Sequence, residues 1–191
     1  MVEEALRRGH TVVAFVHSHN LFSPSGKLIV RRGDVYNAAD VAGAVQGSDA
    51  VVSALSSWGT KGRDVLSSFV GAVVPAMVSQ NMTRLVTLTG IGVEQNPGPV
   101  HRSLLKLMAI VPFGKVFADA ENHVRLLGQS SLDWTTVCSP VMNNFGGPTY
   151  KLNLHLGNPL ATISRQAVAA ALLDQIESTE YLRQTPVIHR N

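Results

Sequence analysis

Short β-branched runs alternate along this chain with longer windows of helical periodicity. Continuous apolar runs at Thr11–Val16, Leu28–Val30, Ala50–Leu55, Leu85–Thr89 and Trp134–Cys138 predict buried strands, with a weaker one at Pro186–His189. Turn residues bound them: Gly9-His10 precedes the first, Gly33-Asp34 follows the second, Gly90 and Gly92 close the fourth, and Pro140 stops the fifth. Because the runs are continuous rather than alternating, they match parallel strands covered on both faces. Helical windows lie between them. From Asp64 to Gln80, Val65, Leu66, Phe69, Val70, Val73, Val74 and Met77 fall on one face. Pro75 lies inside that window and predicts a kink or a break. Further helices are predicted at Ala38–Val45, at Val116–Leu127 ending on Gly128, and at Ser164–Ile176, where Ser164 can act as the N-cap. Strand, helix, strand in repetition predicts right-handed crossovers and an open α/β sheet. The loosest stretches by composition are 18–27, 90–99 and 143–158.

Composition narrows the class. The 191 residues are 45% hydrophobic and 15% charged, which excludes disorder and a coiled coil. A net charge of +3 with no basic run longer than two residues gives no nucleic-acid footprint. The lone Cys138 excludes a disulfide framework and a cysteine zinc site, and His101, His123 and His155 show no metal spacing. No apolar stretch reaches the ~20 residues of a spanning helix. The N-terminus has no signal-peptide form, so a cytoplasmic protein with no membrane partner is expected.

Several local patterns, in order over nearly the whole chain, resemble one family. They are Val2-Glu3-Glu4-Ala5-Leu6-Arg7-Arg8-Gly9-His10-Thr11-Val12, Gly33-Asp34-Val35, Asp49-Ala50-Val51-Val52-Ser53-Ala54-Leu55, Arg84-Leu85-Val86-Thr87-Leu88-Thr89-Gly90-Ile91-Gly92, Leu132-Asp133-Trp134-Thr135-Thr136-Val137-Cys138-Ser139-Pro140 and Ile163-Ser164-Arg165-Gln166-Ala167-Val168-Ala169. Together they resemble the atypical short-chain dehydrogenase/reductases: the NAD(P)H-binding, NmrA-like and flavin- or biliverdin-reductase-like Rossmann proteins. The resemblance implies a doubly wound parallel sheet in a single NAD(P)-binding domain over residues 1–191. By the same comparison the chain starts inside the family's first helix. The family's first strand and its Gly-x-x-Gly-x-x-Gly turn, roughly fifteen residues, are absent. A truncated, N-terminally incomplete domain is therefore expected, with two central strands left with unpaired edges.

The resemblance also assigns candidate residues. Asp34 and Val35 would meet the adenine ring; the alternative is that Asp34 caps the helix at 37–45. His17 and Ser18 end the strand where the adenosine ribose is read. No acid occurs between His10 and Asp34, whereas an NAD site would place one there. His17, Ser18 and Lys27 could donate to a 2′-phosphate, so NADP(H) is favoured over NAD(H); His17 and His19 could equally be plain loop residues. Ala54, Leu55 and Ser56 would flank the riboses. Thr87 and Thr89 would lie near the nicotinamide, with Thr89 the candidate catalytic hydroxyl and Pro140 closing the neighbouring strand.

The Tyr-x-x-x-Lys proton donor of better-known short-chain dehydrogenases is not matched: the nearest equivalent is Phe117-Ala118-Asp119-Ala120-Glu121. Asp119, Glu121 and His123 read as a solvated helix face. Cys138 reads as a small hydrophobe, and Trp58 as a shelf for a flat ring or as loop packing. The function implied is hydride transfer from NAD(P)H to a flat acceptor such as a flavin, quinone or related carbonyl compound. Two alternatives stand beside it: a non-catalytic NADP(H) sensor of NmrA type, and a shortened form without cofactor binding.

Overall fold

The computed structural model describes residues 1–18, 22, 25–57, 64–91, 93, 114–155 and 161–190. Five helices and nine strands are formed by these residues: α1 (Val2–Arg7), β1 (Val12–Val16), β2 (Leu28–Arg32), α2 (Ala38–Val45), β3 (Ala50–Ser53), α3 (Val65–Ser79), β4 (Arg84–Gly90), α4 (Gly114–Gln129), β5 (Asp133–Ser139), β6 (Val141–Asn143), β7 (Lys151–Asn153), β8 (Thr162–Ser164), α5 (Arg165–Glu177) and β9 (Val187–His189). The α/β alternation expected from the hydrophobic pattern is present, and most boundaries fall within one or two residues of it. His19, Trp58 and His101 lie outside the described residues.

The strands form three groups. β1 and β2 pair in parallel; β3-β4-β5-β9-β7 make a five-stranded sheet; β6 and β8 form a parallel pair. All pairings are parallel except β7 against β9. The centre of the main sheet is β4 on β5, in continuous register from Arg84 opposite Asp133 to Gly90 opposite Ser139. β7 arises in the 143–158 stretch that composition marks as loose, and β6 and β8 flank it. Three-residue strands carry too little pattern to be read from sequence, and their pairing is set by the elements they meet.

Helices cover both faces of the sheet. On one, Val41, Val45, Phe69, Val70, Val73, Met77, Leu85, Leu127 and Trp134 join α2, α3 and α4 to the sheet. On the other, Val86, Val137, Ile163, Val168, Leu172 and Ile188 pack α5 against it. Leu85 and Val86, adjacent in β4, fall in opposite clusters and are both fully buried, as strand alternation requires. Leu85 exemplifies a wholly buried aliphatic side chain, worth roughly 1.5–3 kcal/mol relative to exposure.

Pro75 does not break its helix, because α3 runs unbroken through it. Both Pro75 and Gly71, whose carbonyl loses its partner, are exposed, so water can satisfy that oxygen while Val73, Ala76 and Met77 hold the opposite face in the core. Arg84, half-buried at the start of β4, ties the sheet to the end of α5 by donating to the carbonyls of Gln175 and Ile176 and to Thr135 Oγ1. Asp174 of α5 accepts from Arg8 at 2.6 Å and from the Tyr150 hydroxyl, fixing α1 to the α5 layer.

The sheet is discontinuous between β1 and β3. β4 and β5 are almost wholly buried, whereas Val12, Val13, Phe15 and Val16 of β1, and Ala50, Val51 and Val52 of β3, are only half-buried.

Candidate functional site

Parallel strands present their carboxyl ends along one rim, where open α/β sheets bind ligands. At the end of β1, His17 and Ser18 are exposed, and His17 Nε2 lies 3.8 Å from Asp34 Oδ2. Arg31 and Arg32 end β2 opposite Phe15 and Val16 and are both exposed; as successive strand residues they project to opposite faces. Gly33 then turns the chain back beneath β1: its N–H donates to Val16 O at 3.1 Å. A Cβ on Gly33 would fall 2.5 Å from Phe15 Cε2 and 2.8 Å from Asp40 Cβ, so only glycine fits that approach.

Asp34 is held on two sides. Its N–H donates to Asp40 Oδ2 at 2.9 Å, and its Oδ1 accepts the N–H of Tyr36 at 3.0 Å. It does not cap α2; Asn37 does, accepting from the N–H groups of Ala39 and Asp40. Val35 packs against the core beneath. Lys27 is at the opposite rim from His17 and Ser18. It precedes β2, and its Nζ donates to Gly9 O at 3.0 Å, so a five-residue strand, roughly 16 Å, separates it from the site it was expected to serve. An exposed pair ending a strand was legible as two arginines, but its position opposite Phe15 and Val16 depends on the β1–β2 register.

Ala54, Leu55 and Ser56 follow β3 at this rim, Ala54 and Ser56 exposed and Leu55 half-buried. Thr87 is buried in β4 and spends its hydroxyl on Thr136 Oγ1 of β5 at 2.8 Å. Thr89, two residues on and on the same face, is 5% exposed, and its Oγ1 has no hydrogen-bond partner among the described residues. Pro140 is buried at the end of β5, beside the Ile91 N–H bond to Ser139 O. Cys138 is wholly buried within β5, as a small hydrophobe would be.

A second polar cluster lies behind the rim. Asp119 of α4 accepts from the N–H groups of Leu66 and Ser67 at 2.9 Å, from Ser67 Oγ at 2.6 Å and from Ser57 Oγ. The carboxylate thus caps the start of α3 from another helix, while Asp64 at the N-cap position makes no side-chain cap bond. Asp64 is engaged instead by the Tyr36 hydroxyl at 3.0 Å. One turn beyond Asp119, His123 is 1% exposed, its Nδ1 is without a partner among the described residues, and burial pushes its pKa down to about 4 with Asp119 opposing only in part.

The reading of Asp119 and His123 as a solvated face is therefore corrected: both are buried, and only Glu121 of that trio is exposed. The inward face of α4 carries Asp119, Ala120, His123 and Leu127, and that spacing was present in the sequence. What hid it was the assumption that charged residues at helical spacing face water; an acid stays buried where helix N–H groups neutralise it.

His17, Arg31 and Arg32 are exposed donors at this rim, and the Thr89 hydroxyl is a buried donor without a partner among the described residues near the β4 end. Between β1 and β3 the described residues supply no backbone turn for a pyrophosphate, and no Gly-x-x-Gly-x-x-Gly occurs in the sequence. Among the described residues no His, Cys, Asp and Glu cluster could hold a metal ion, and no helix is long and apolar enough to cross a membrane.

A family model described as NAD(P)H-binding matches residues 1–179. The chain belongs to the NAD(P)H-binding family. Solved structures similar to this NAD(P)H-binding chain agree with its Rossmann fold. A putative epimerase from Bacteroides thetaiotaomicron is 23% identical with a TM-score of 0.78, covering 99% of this chain and 89% of its own. ChuY, an anaerobillin reductase from Escherichia coli O157:H7, is 16% identical with a TM-score of 0.76, covering 98% and 88%. A short-chain dehydrogenase/reductase from Veillonella parvula, solved in complex with NADP, is 18% identical with a TM-score of 0.65, covering 87% and 74%. No curated protein sequence is similar enough to count as a relative.

Proposed function

We propose that this NAD(P)H-binding chain is an atypical short-chain reductase that passes hydride from NADP(H) to a flat acceptor such as a flavin, quinone or related carbonyl compound. The observation that carries the reading is Thr89: a buried hydroxyl with no hydrogen-bond partner among the described residues, near the carboxyl end of β4 within the main sheet. A buried polar atom left unpaired costs about 1–3 kcal/mol, and a ligand group at the rim would recover that. His17, Ser18, Asp34 and Val35 would hold the adenosine end; Ala54, Leu55, Ser56, Thr87, Thr89 and Pro140 would line the nicotinamide end. His17 and Arg32 support NADP(H) over NAD(H), since Asp34 Oδ1 is drawn into a turn with the Tyr36 N–H.

When bound, the nicotinamide supplies the hydride. Thr89 would orient the acceptor side, its hydroxyl having no partner among the described residues. On α4, Asp119 is engaged by four donors, His123 is buried and neutral, and Phe117 has no proton to give. Acceptors that take their proton from solvent fit that arrangement. The same observation supports a second reading, a non-catalytic NADP(H) sensor.

Calorimetric titration with NADPH and NADH, followed by NADPH oxidation with flavin mononucleotide and with a soluble quinone, separates them. Binding with turnover that falls in Thr89→Val supports the reductase. Binding without turnover supports the sensor. Absence of binding to either nucleotide overturns both.

A further inference from the structure

After β6 the chain forms a loop that is tied at several points to β8 and the first residue of α5. Asn143, the last residue of β6, lies opposite Ser164 of β8 in the parallel register. Its Nδ2 donates to Thr162 Oγ1 at 2.9 Å, and its Oδ1 accepts the N–H of Phe145 at 2.9 Å. Arg165 donates to Asn144 Oδ1 at 2.8 Å, and Ser164 Oγ donates to Gly147 O at 2.6 Å. Between these ties Gly146 takes a φ of +102°, which glycine adopts without strain. The polar side chains of the loop are spent on its own shape.

Two large side chains at the loop are not spent in that way. Phe145 is 78% exposed, although the chain is held on both sides of it. Arg190, directly after β9, makes no hydrogen bond or ion pair among the described residues. Its Nη2 reaches over the loop, 3.5 Å from where a Cβ on Gly146 would lie. Phe145 and Arg190 line one pocket of about 140 Å³, together with Gly146, Thr149, Ile163 and Ser164. A volume of that order takes a single six-membered ring. No acidic side chain is among the described residues lining it, and the Thr149 hydroxyl donates to no group among them. Ile163 belongs to the cluster under α5, whereas Thr89 shares the strand face of Leu85, which belongs to the cluster under α3 and α4.

An unpaired guanidinium offers a planar fork that matches a carboxylate, and an exposed phenyl ring offers a face or edge to a second ring. A single partner-free cation matches one negative charge. We propose that this pocket binds a small aromatic monocarboxylate, with its carboxylate on Arg190, the Thr149 hydroxyl donating beside it, and its ring against Phe145. This inference does not rest on the nucleotide reading, and binding requires no nucleotide.

The probe is benzoate, titrated by calorimetry into the full chain without nucleotide, beside benzamide, acetate and inorganic phosphate. Benzoate should bind one-to-one with a Kd below about 1 mM, and the other three about tenfold or more weakly. Arg190→Gln should weaken benzoate about tenfold, and Phe145→Ser about fivefold. Both side chains are exposed, so circular dichroism should be unchanged, and either variant suffices if the other fails to fold. Amide shifts in NMR spectra on adding benzoate should centre on Gly146, Gly147 and Ser164. Absence of saturable benzoate binding, benzamide, acetate or phosphate binding as tightly as benzoate, full affinity in either folded variant, or shifts centred elsewhere would overturn the proposal.

Discussion

Asp119 of α4 accepts the backbone N–H of Ser67 at 2.9 Å, so one helix caps another across 52 positions of sequence. Removing that carboxylate leaves the N–H groups of Leu66 and Ser67 and the hydroxyls of Ser57 and Ser67 without their acceptor. Asp119→Ala should lower stability by about 2–4 kcal/mol in urea unfolding. Asp119→Asn, which keeps one acceptor oxygen, should cost less. A change below about 0.5 kcal/mol in both variants would show that the network contributes little.

His123 gives stability a pH dependence whose sign is set by burial. Its folded pKa, about 4, is below the ordinary value of 6.5, so the unfolded chain binds the proton first. Its contribution is complete above pH 6.5 and is lost as pH falls toward 4, by up to about 3 kcal/mol. Urea midpoints measured across that window should fall more steeply for the native chain than for His123→Phe. Parallel slopes in the two proteins would refute this assignment.

Gly33 should not tolerate even alanine. The added carbon would lie 2.5 Å from the Phe15 ring and 2.8 Å from Asp40 Cβ. Gly33→Ala should cost about 1–3 kcal/mol through displacement of β1 or α2. The smaller ring-free partner in Gly33→Ala/Phe15→Leu should recover part of the loss, a coupling that a double-mutant cycle measures.

Cation removal at the β1–β2 corner should separate the two nucleotides. His17→Ala with Arg32→Ala should weaken NADPH binding about tenfold, the equivalent of one charge-assisted contact, and leave NADH within about twofold. Calorimetry showing equal losses for both nucleotides would place the 2′-phosphate elsewhere.

The alternation of strand and helix, the apolar face of α3, and the Ser164 cap were all legible in the sequence, because local periodicity and capping chemistry act over a few residues. So was the grouping of Asp34, Ala54, Thr89 and Pro140 at strand ends, since each follows or ends a β-branched run. Tertiary structure alone decided which polar groups near those ends are engaged. Thr87 is satisfied by Thr136 across the β4–β5 register while Thr89 is not, and Lys27 is carried to the far rim by the direction of β2. Asp119 and His123 were misread for the same reason: whether a charged helix position faces water depends on what packs against it, here the open N-terminus of α3.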